Sequence, residues 1–535
     1  MGLKAKMMNT SSNPEHLLEA FWQLFKQQQF DAATQYSSRL QQEFPHVVQG
    51  WHAAAVLAAQ QHKLQEALDH IEQALSLEAD NLQCLLLKIR LLINKGQRIE
   101  AKALALQLSQ QTYANAAIYA ELALLLNTLK LHTQALDCYQ RAHLLAPNDA
   151  GILFNLASLQ RYMGHLAAAE KSLDKVISLN PQDSEAWLLR SSLRKQQADN
   201  NHVQALEMRI AQASDPVIRQ VQLHYALAKE LEDLQQYARC FKALSQGARL
   251  RRKNMQYDVQ QDVATINKII EVFAADVFKH TPRGYHSKQP IFILGLPRTG
   301  STLVERIIDS HSDVHSAGEL NTFALQMMAQ IRSKQHSAPA NKLAVVELSR
   351  QLDFAALGES YIKNTQSDGE QHKHVIDKLP LNSLYAGLIH LALPEAKIIY
   401  ITRHPMDTCF AIYKQLFTNG YPFSYELSEL AQYQIAHQRL MQHWQTVMPG
   451  VIYQLSYEQL VTDLPTQARK LIDFCALPWQ PQCAHFEQNK AASTTASAAQ
   501  VRQGVYSSSV GKWRHFGDEL AQVKQTLQAA GLHCD

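Results

Sequence analysis

IFILGLPRTGSTLVERII, residues 291–308, starts as an unbroken apolar run and becomes a helix-forming segment across a short glycine-bearing turn. A brief apolar run with a proline on either side reads as a buried parallel strand. The segment Gly295-Leu-Pro-Arg-Thr-Gly300-Ser-Thr302 then has the spacing of an anion-binding loop between a strand and a helix. Its glycines let backbone amides turn inward around an anion, and the helix N-terminus adds partial positive charge. The nucleotide-hydrolase version of such a loop, GxxxxGK[ST], requires a lysine where this chain has Ser301. That lysine serves, with a magnesium ion, to neutralise β- and γ-phosphates. A loop without it suits a less charged anion, held by hydroxyls, amides and the Arg298 guanidinium.

Downstream, HVIDKL (374–379), AKIIYIT (396–402) and GVIYQLSY (450–457) are further strand-like runs. Helical stretches such as NSLYAGLIHLAL and PTQARKLIDFCAL lie between or after them. This alternation predicts a central parallel sheet with helices on both faces and ligands at the carboxyl ends of the strands. Arg403 follows AKIIYIT, at the carboxyl edge of its strand, and a planar guanidinium there suits a second phosphate. Two prolines and a glycine in TPRGYHSKQP (281–290) break the helical pattern ahead of the first strand and predict a linker.

Upstream of that break the sequence repeats. Ala33, Ala67, Ala101, Ala135 and Ala169 occupy matching places in DAATQY, EALDHI, EAKALA, QALDCY and AAAEKS, at intervals of 34 residues. Loop prolines keep the same period, Pro147 and Pro181 being one step apart and Pro45 three steps before Pro147. Each unit reads as two helices around a polar turn, with alanines where the helices approach closely. A single pair cannot bury its own apolar face, so the units must stack into a solenoid. A degenerate copy is expected around Ala238, and the stretch near Ala205 departs from the period. The run Arg249, Arg251, Arg252, Lys253 is expected to be a solvated helix face or a contact for an acidic partner.

At 535 residues the chain is long enough for more than one core. Its 51 Lys and Arg are nearly balanced by 48 Asp and Glu, for a net charge of +3, so a nucleic-acid partner is not indicated and any anion site is local. Seven scattered cysteines without a CxxC pair point to neither a zinc site nor a disulfide framework. With no apolar core of a signal peptide near the start and no apolar stretch long enough to span a membrane, the reading is cytoplasmic.

The PRTGST loop and the later strand-Arg-x-Pro turn together resemble the sulfotransferase superfamily, and the repeats resemble tetratricopeptide repeats. A fusion of the two is similar to the bacterial tetratricopeptide-sulfotransferase arrangement. The resemblance implies an all-α repeat solenoid over residues 14–280, degenerate at its end, followed by an α/β P-loop-like sulfotransferase domain over 288–535. It also implies 3′-phosphoadenosine 5′-phosphosulfate as co-substrate and no metal. Its residues carry over one by one. Arg298, Thr299, Gly300, Ser301 and Thr302 would hold the 5′-phosphosulfate, and Arg403 the 3′-phosphate. Glu319, 21 residues beyond Arg298, matches the base of protein-tyrosine sulfotransferases, while His311 and His315 keep a histidine base open. Lys378 in DKLP would join Arg298 in stabilising the leaving group. Tyr457 in SYEQL would contact the nucleotide, and VRQGVYSSSVGKWRHF (501–516) would close over it, with Arg502, Ser509, Lys512 and Trp513 as looser candidates. The preceding KAASTTASAAQ is expected to be mobile until donor binds. One departure stands out: the family's serine eight residues beyond the arginine is Ala411 here, leaving Thr408 or Tyr413 to compensate.

The acceptor implied is a hydroxyl, with tyrosine of a peptide or protein as one candidate, and the repeat array is suited to holding such a partner. A phosphotransferase or nucleotide hydrolase using the same loop is disfavoured by the missing lysine and by the lack of a metal-binding carboxylate motif. A repeat scaffold with an inactive transferase domain draws support from Ala411.

Overall fold

The computed structural model describes residues 13–212, 216–279, 284–334, 339–365, 372–418, 420–489 and 508–535. Packing divides the chain into two compact units, one ending at Ile152 and the other beginning at Leu153.

The first unit is a series of helical hairpins, Pro14–Lys26 with Phe30–Glu43, Val48–Gln60 with Leu64–Leu77, Leu82–Lys95 with Arg98–Ser109, and Ala116–Thr128 with His132–Leu145. The repeat alanines are fully buried, as their spacing predicts. A second signature has the same period. The residue between the two helices of a pair is left-handed at Gln28, His62, Gly96, Lys130 and, in the second unit, Gly164, with φ of 58°, 60°, 83°, 63° and 85°. The next residue's N–H bonds back to a carbonyl in the last turn of the preceding helix, as Lys63 does to Ala58 and Leu131 to Leu126. This is the Schellman pattern that satisfies the orphan carbonyls of a helix end. Three of the five sites are non-glycine, so the sequence gives little sign of them.

In the second unit the repeat continues through Leu166–Leu179 and then loosens. A short helix, Ser184–Ser191, and an isolated bridge between Gln197 and Asn200 precede Val203–Ala211. The pattern resumes in Val217–Asp233 and Tyr237–Lys253, with Gln235 left-handed. The buried small position of this pair is Cys240, whereas Ala238 is exposed. The basic run is partly internal: Arg252 makes a two-pronged pair with Glu429 at 2.7 Å, and Arg251 lies over the Tyr425 ring.

The sheet has five parallel strands, β1 (Pro290–Gly295), β2 (Val314–Ser316), β3 (His374–Lys378), β4 (Lys397–Thr402) and β5 (Ile452–Ser456), in the order β2-β3-β1-β4-β5. Only β2 lacks an expected counterpart. The alternation within β1 explains the layers. Ile291 and Ile293 join Ile399, Ile401 and the helices Ser301–Asp309 and Leu464–Phe474 in one core. Phe292 and Leu294 join Ile398, Tyr400 and the helices Ala386–Ala392 and Leu427–Val447 in another. Covered on both faces, β1 can only be an apolar run. The second core extends through residues of Val217–Asp233 and Tyr237–Lys253, so the last helical pair packs as part of the sheet's own hydrophobic layer. The break expected across 281–290 lies partly outside the described residues. No helix among the described residues is long and apolar enough to cross a membrane.

Candidate functional site

Every strand of the sheet delivers one candidate group at its carboxyl end. The PRTG turn follows β1, Glu319 follows β2, Lys378 closes β3, Arg403 follows β4 and Tyr457 follows β5.

The loop after β1 is tightly specified. Arg298 is left-handed, with φ of 65°, and Gly300 has φ of 106° as the residue that opens the helix Ser301–Asp309. A Cβ on Gly300 would lie 2.4 Å from Cδ2 of Tyr457, so both backbone angle and space exclude a side chain there. Thr299, Ser301 and Thr302 are buried, and Thr299 Oγ1 donates to the Leu296 carbonyl at 2.8 Å.

Arg403 joins this loop to the distant segment around Ser509. Its Nη1 donates to the Arg298 carbonyl at 2.9 Å and its Nη2 to the Ser509 carbonyl at 2.7 Å. The guanidinium sits over the Tyr457 ring at 4.8 Å, and the Tyr457 and Ser509 hydroxyls are 2.7 Å apart. Arg298, Gly300, Arg403, Tyr457 and Ser509 are thus assembled as one cluster. Two of five guanidinium hydrogens are committed to carbonyls, leaving Nε–H and two others for an anion. The Nε–H is buried with no protein partner.

Glu319 and Lys378 form an ion pair of unequal surroundings, the lysine side chain being 2% exposed and the glutamate 47%. Lys378 also lies 3.9 Å from Glu305, a buried carboxylate that accepts from Ser316 Oγ at 2.5 Å and whose protonated form is favoured by burial. Glu305 and Tyr421 are neighbours the sequence reading did not single out. Tyr421 is left-handed at φ of 50° and packs against Phe417 at 4.8 Å. Burial and then the charge of Glu319 raise its phenol well above the usual range.

The other candidates have partners of their own in the structure. His311 is buried with both nitrogens engaged, Nε2 with the Pro478 carbonyl at 2.9 Å and Nδ1 with the Asp313 N–H at 3.1 Å, so it has no nitrogen left for base chemistry. His315 stacks on His372. Thr408 Oγ1 donates to the Arg403 carbonyl at 3.3 Å, and the Tyr413 phenol is pushed up chiefly by burial. Lys512 Nζ is 2.8 Å from Glu232, which Lys414 also engages at 2.8 Å. These two ammonium groups outweigh burial and hold the Glu232 carboxyl down at about 2. Arg502 and KAASTTASAAQ lie outside the described residues.

A family model described as "Sulfotransferase family" matches residues 290–481, which contain this loop, β1 to β5 and Arg403. Over residues 290–481 this chain is similar to the sulfotransferase family. Upstream of that match, a tetratricopeptide-repeat model matches residues 150–183. An uncharacterised protein of Aquifex aeolicus is 31% identical over 403 residues, covering 74% of this chain and 52% of that protein. A protein-tyrosine sulfotransferase of Drosophila melanogaster is 24% identical over 208 residues, covering 38% of this chain and 41% of that protein. The chain thus spans about half the length of the curated relatives it matches. Among solved structures, the sulfotransferase domain from the Synechococcus PCC 7002 olefin synthase is 18% identical with a TM-score of 0.33, over 46% of this chain and 98% of that one.

Proposed function

We propose that this chain transfers a sulfuryl group from 3′-phosphoadenosine 5′-phosphosulfate to an acceptor hydroxyl. The observation that carries the reading is the bond from Arg403 to the Arg298 carbonyl, which sets a second cationic group against the lysine-free anion loop. Such a pair suits a nucleotide with anionic groups at both its 5′ and 3′ positions. The fit is supported by the side-chain-free Gly300 and by the unspent Nε–H of Arg403.

In this reading Thr299, Gly300, Ser301 and Thr302 hold the 5′-phosphate, Arg403 the 3′-phosphate, and Tyr457, Ser509 and Lys512 the remainder of the nucleotide. Glu319 takes the proton of the acceptor hydroxyl as its oxygen bonds to sulfur, and the bond from sulfur to the 5′-phosphate oxygen breaks. Lys378 and Arg298 stabilise the negative charge gathering on the departing phosphate. Tyrosine in a peptide or protein is the acceptor favoured by the names of the relatives and by the aromatic group of Tyr421 beside Glu319. The repeats would hold that partner. The seven free, buried cysteines support a cytoplasmic setting.

Calorimetric titration with adenosine 3′,5′-bisphosphate tests the reading. Saturable binding, tighter than that of adenosine 5′-monophosphate, is expected. Absence of binding to the folded chain would remove the proposed activity.

A further inference from the structure

Buried polar atoms nearly always find a partner, so those that do not call for an explanation. Among the described residues, twelve buried side-chain nitrogens and oxygens have none within the protein. Four of these twelve fall on three residues in one place: Arg403 Nε, both ring nitrogens of His404, and Trp513 Nε1. The placement of His404 is well determined by its neighbours. Its backbone N–H donates to Glu458 at 2.8 Å, and its ring lies parallel to that of Trp513, with centroids 5.8 Å apart and planes 7° apart. Trp513 is fixed in turn by Asp407, whose carboxylate accepts from the N–H groups of Gly511 at 2.6 Å and Trp513 at 3.2 Å. The imidazole thus faces Trp513 with neither of its nitrogens bonded within the protein.

The helix that follows β4, Pro405–Tyr413, lacks the serine that the sulfotransferase resemblance leads one to expect. Position 411 has no hydroxyl, and that of Thr408 donates to the Arg403 carbonyl at 3.3 Å. We infer that His404 supplies the missing hydrogen bond, as a direct ligand of the donor's 3′-phosphate beside Arg403. This rests on the donor assignment made above. An imidazole, neutral or protonated, can bring one N–H to a phosphate oxygen, as the hydroxyl of a serine does. The arrangement moves the second ligand from the helix interior at Ala411 to the residue next to the arginine.

The test compares adenosine 3′,5′-bisphosphate with adenosine 5′-monophosphate, by calorimetry on the full chain, for the unmodified protein, His404→Phe and His404→Gln. Phenylalanine keeps a ring against Trp513 and removes the nitrogens, and glutamine restores an N–H. In His404→Phe the preference for the bisphosphate should fall about tenfold to a hundredfold, with the affinity for the monophosphate and the thermal midpoint nearly unchanged. His404→Gln should recover part of the preference. A preference untouched in His404→Phe would overturn the inference and leave the donor reading standing. Equal weakening of both nucleotides, or a fall in thermal midpoint that accounts for the loss, would also overturn it, by showing that the ring acts on adenosine or on the fold. No preference in the unmodified protein would instead overturn the donor reading itself.

Discussion

Glu319, from the loop after β2, and Lys378, the last residue of β3, come together with the ammonium buried and the carboxylate half exposed. That asymmetry suits a base that must meet an incoming hydroxyl while its partner cation stays out of water. Glu319→Gln preserves the shape and removes the proton acceptor. Turnover should fall about 10²- to 10⁴-fold in a labelled-donor transfer assay, with bisphosphate affinity in the calorimeter essentially unchanged. Retained turnover would reassign the base. Glu319 was legible as a candidate through the family resemblance, which matches it at 21 residues beyond Arg298. Glu305 and Tyr421 were not, since a buried glutamate within an amphipathic helix and a tyrosine in a loop carry no local mark of their neighbours. His404 was passed over for the same reason. Next to a conspicuous arginine, a histidine before Pro405 reads only as a helix entrance, and its unspent nitrogens are visible only in three dimensions.

At the scale of elements, the helix Val217–Asp233 carries Glu232 to Lys414 and Lys512. The carboxyl titrates at about 2 in the fold against an ordinary value of 4.5. A depressed carboxyl stabilises the folded state fully above its ordinary value and loses that contribution as pH falls toward the folded one. Glu232→Gln, which leaves the lysines without their counter-charge, should therefore cost about 3 to 5 kcal/mol at neutral pH. The gap from the unmodified protein should close between about pH 4.5 and pH 2, as read by urea unfolding. A gap that does not depend on pH would show that the pair contributes nothing electrostatic. The pairing spans 182 residues between Glu232 and Lys414, beyond the reach of any spacing rule. The repeats were legible because buried alanines recur at a fixed interval. The strand β2 was not, because its three residues, Val314–Ser316, make no run.

At the scale of the whole molecule, the change of period near residue 290 marks where strands begin but does not mark where packing divides. The pair Val217–Asp233 and Tyr237–Lys253 shares the core of the sheet, and Tyr237 stacks on His515 at 4.3 Å while Phe241 lies near Phe516. A fragment of residues 150–535 should fold and bind adenosine 3′,5′-bisphosphate as the full chain does, whereas residues 284–535 should be insoluble or fail to bind. A soluble 284–535 fragment with full affinity would show these helices to be dispensable.

Arg403 reaches the carbonyl of Ser509, 106 residues later in the chain. During synthesis, then, a ribosome must decode past codon 509 before this arginine can be braced on both sides. A polypeptide stopped between codons 403 and 509 would therefore carry this arginine with only one of its two carbonyl braces.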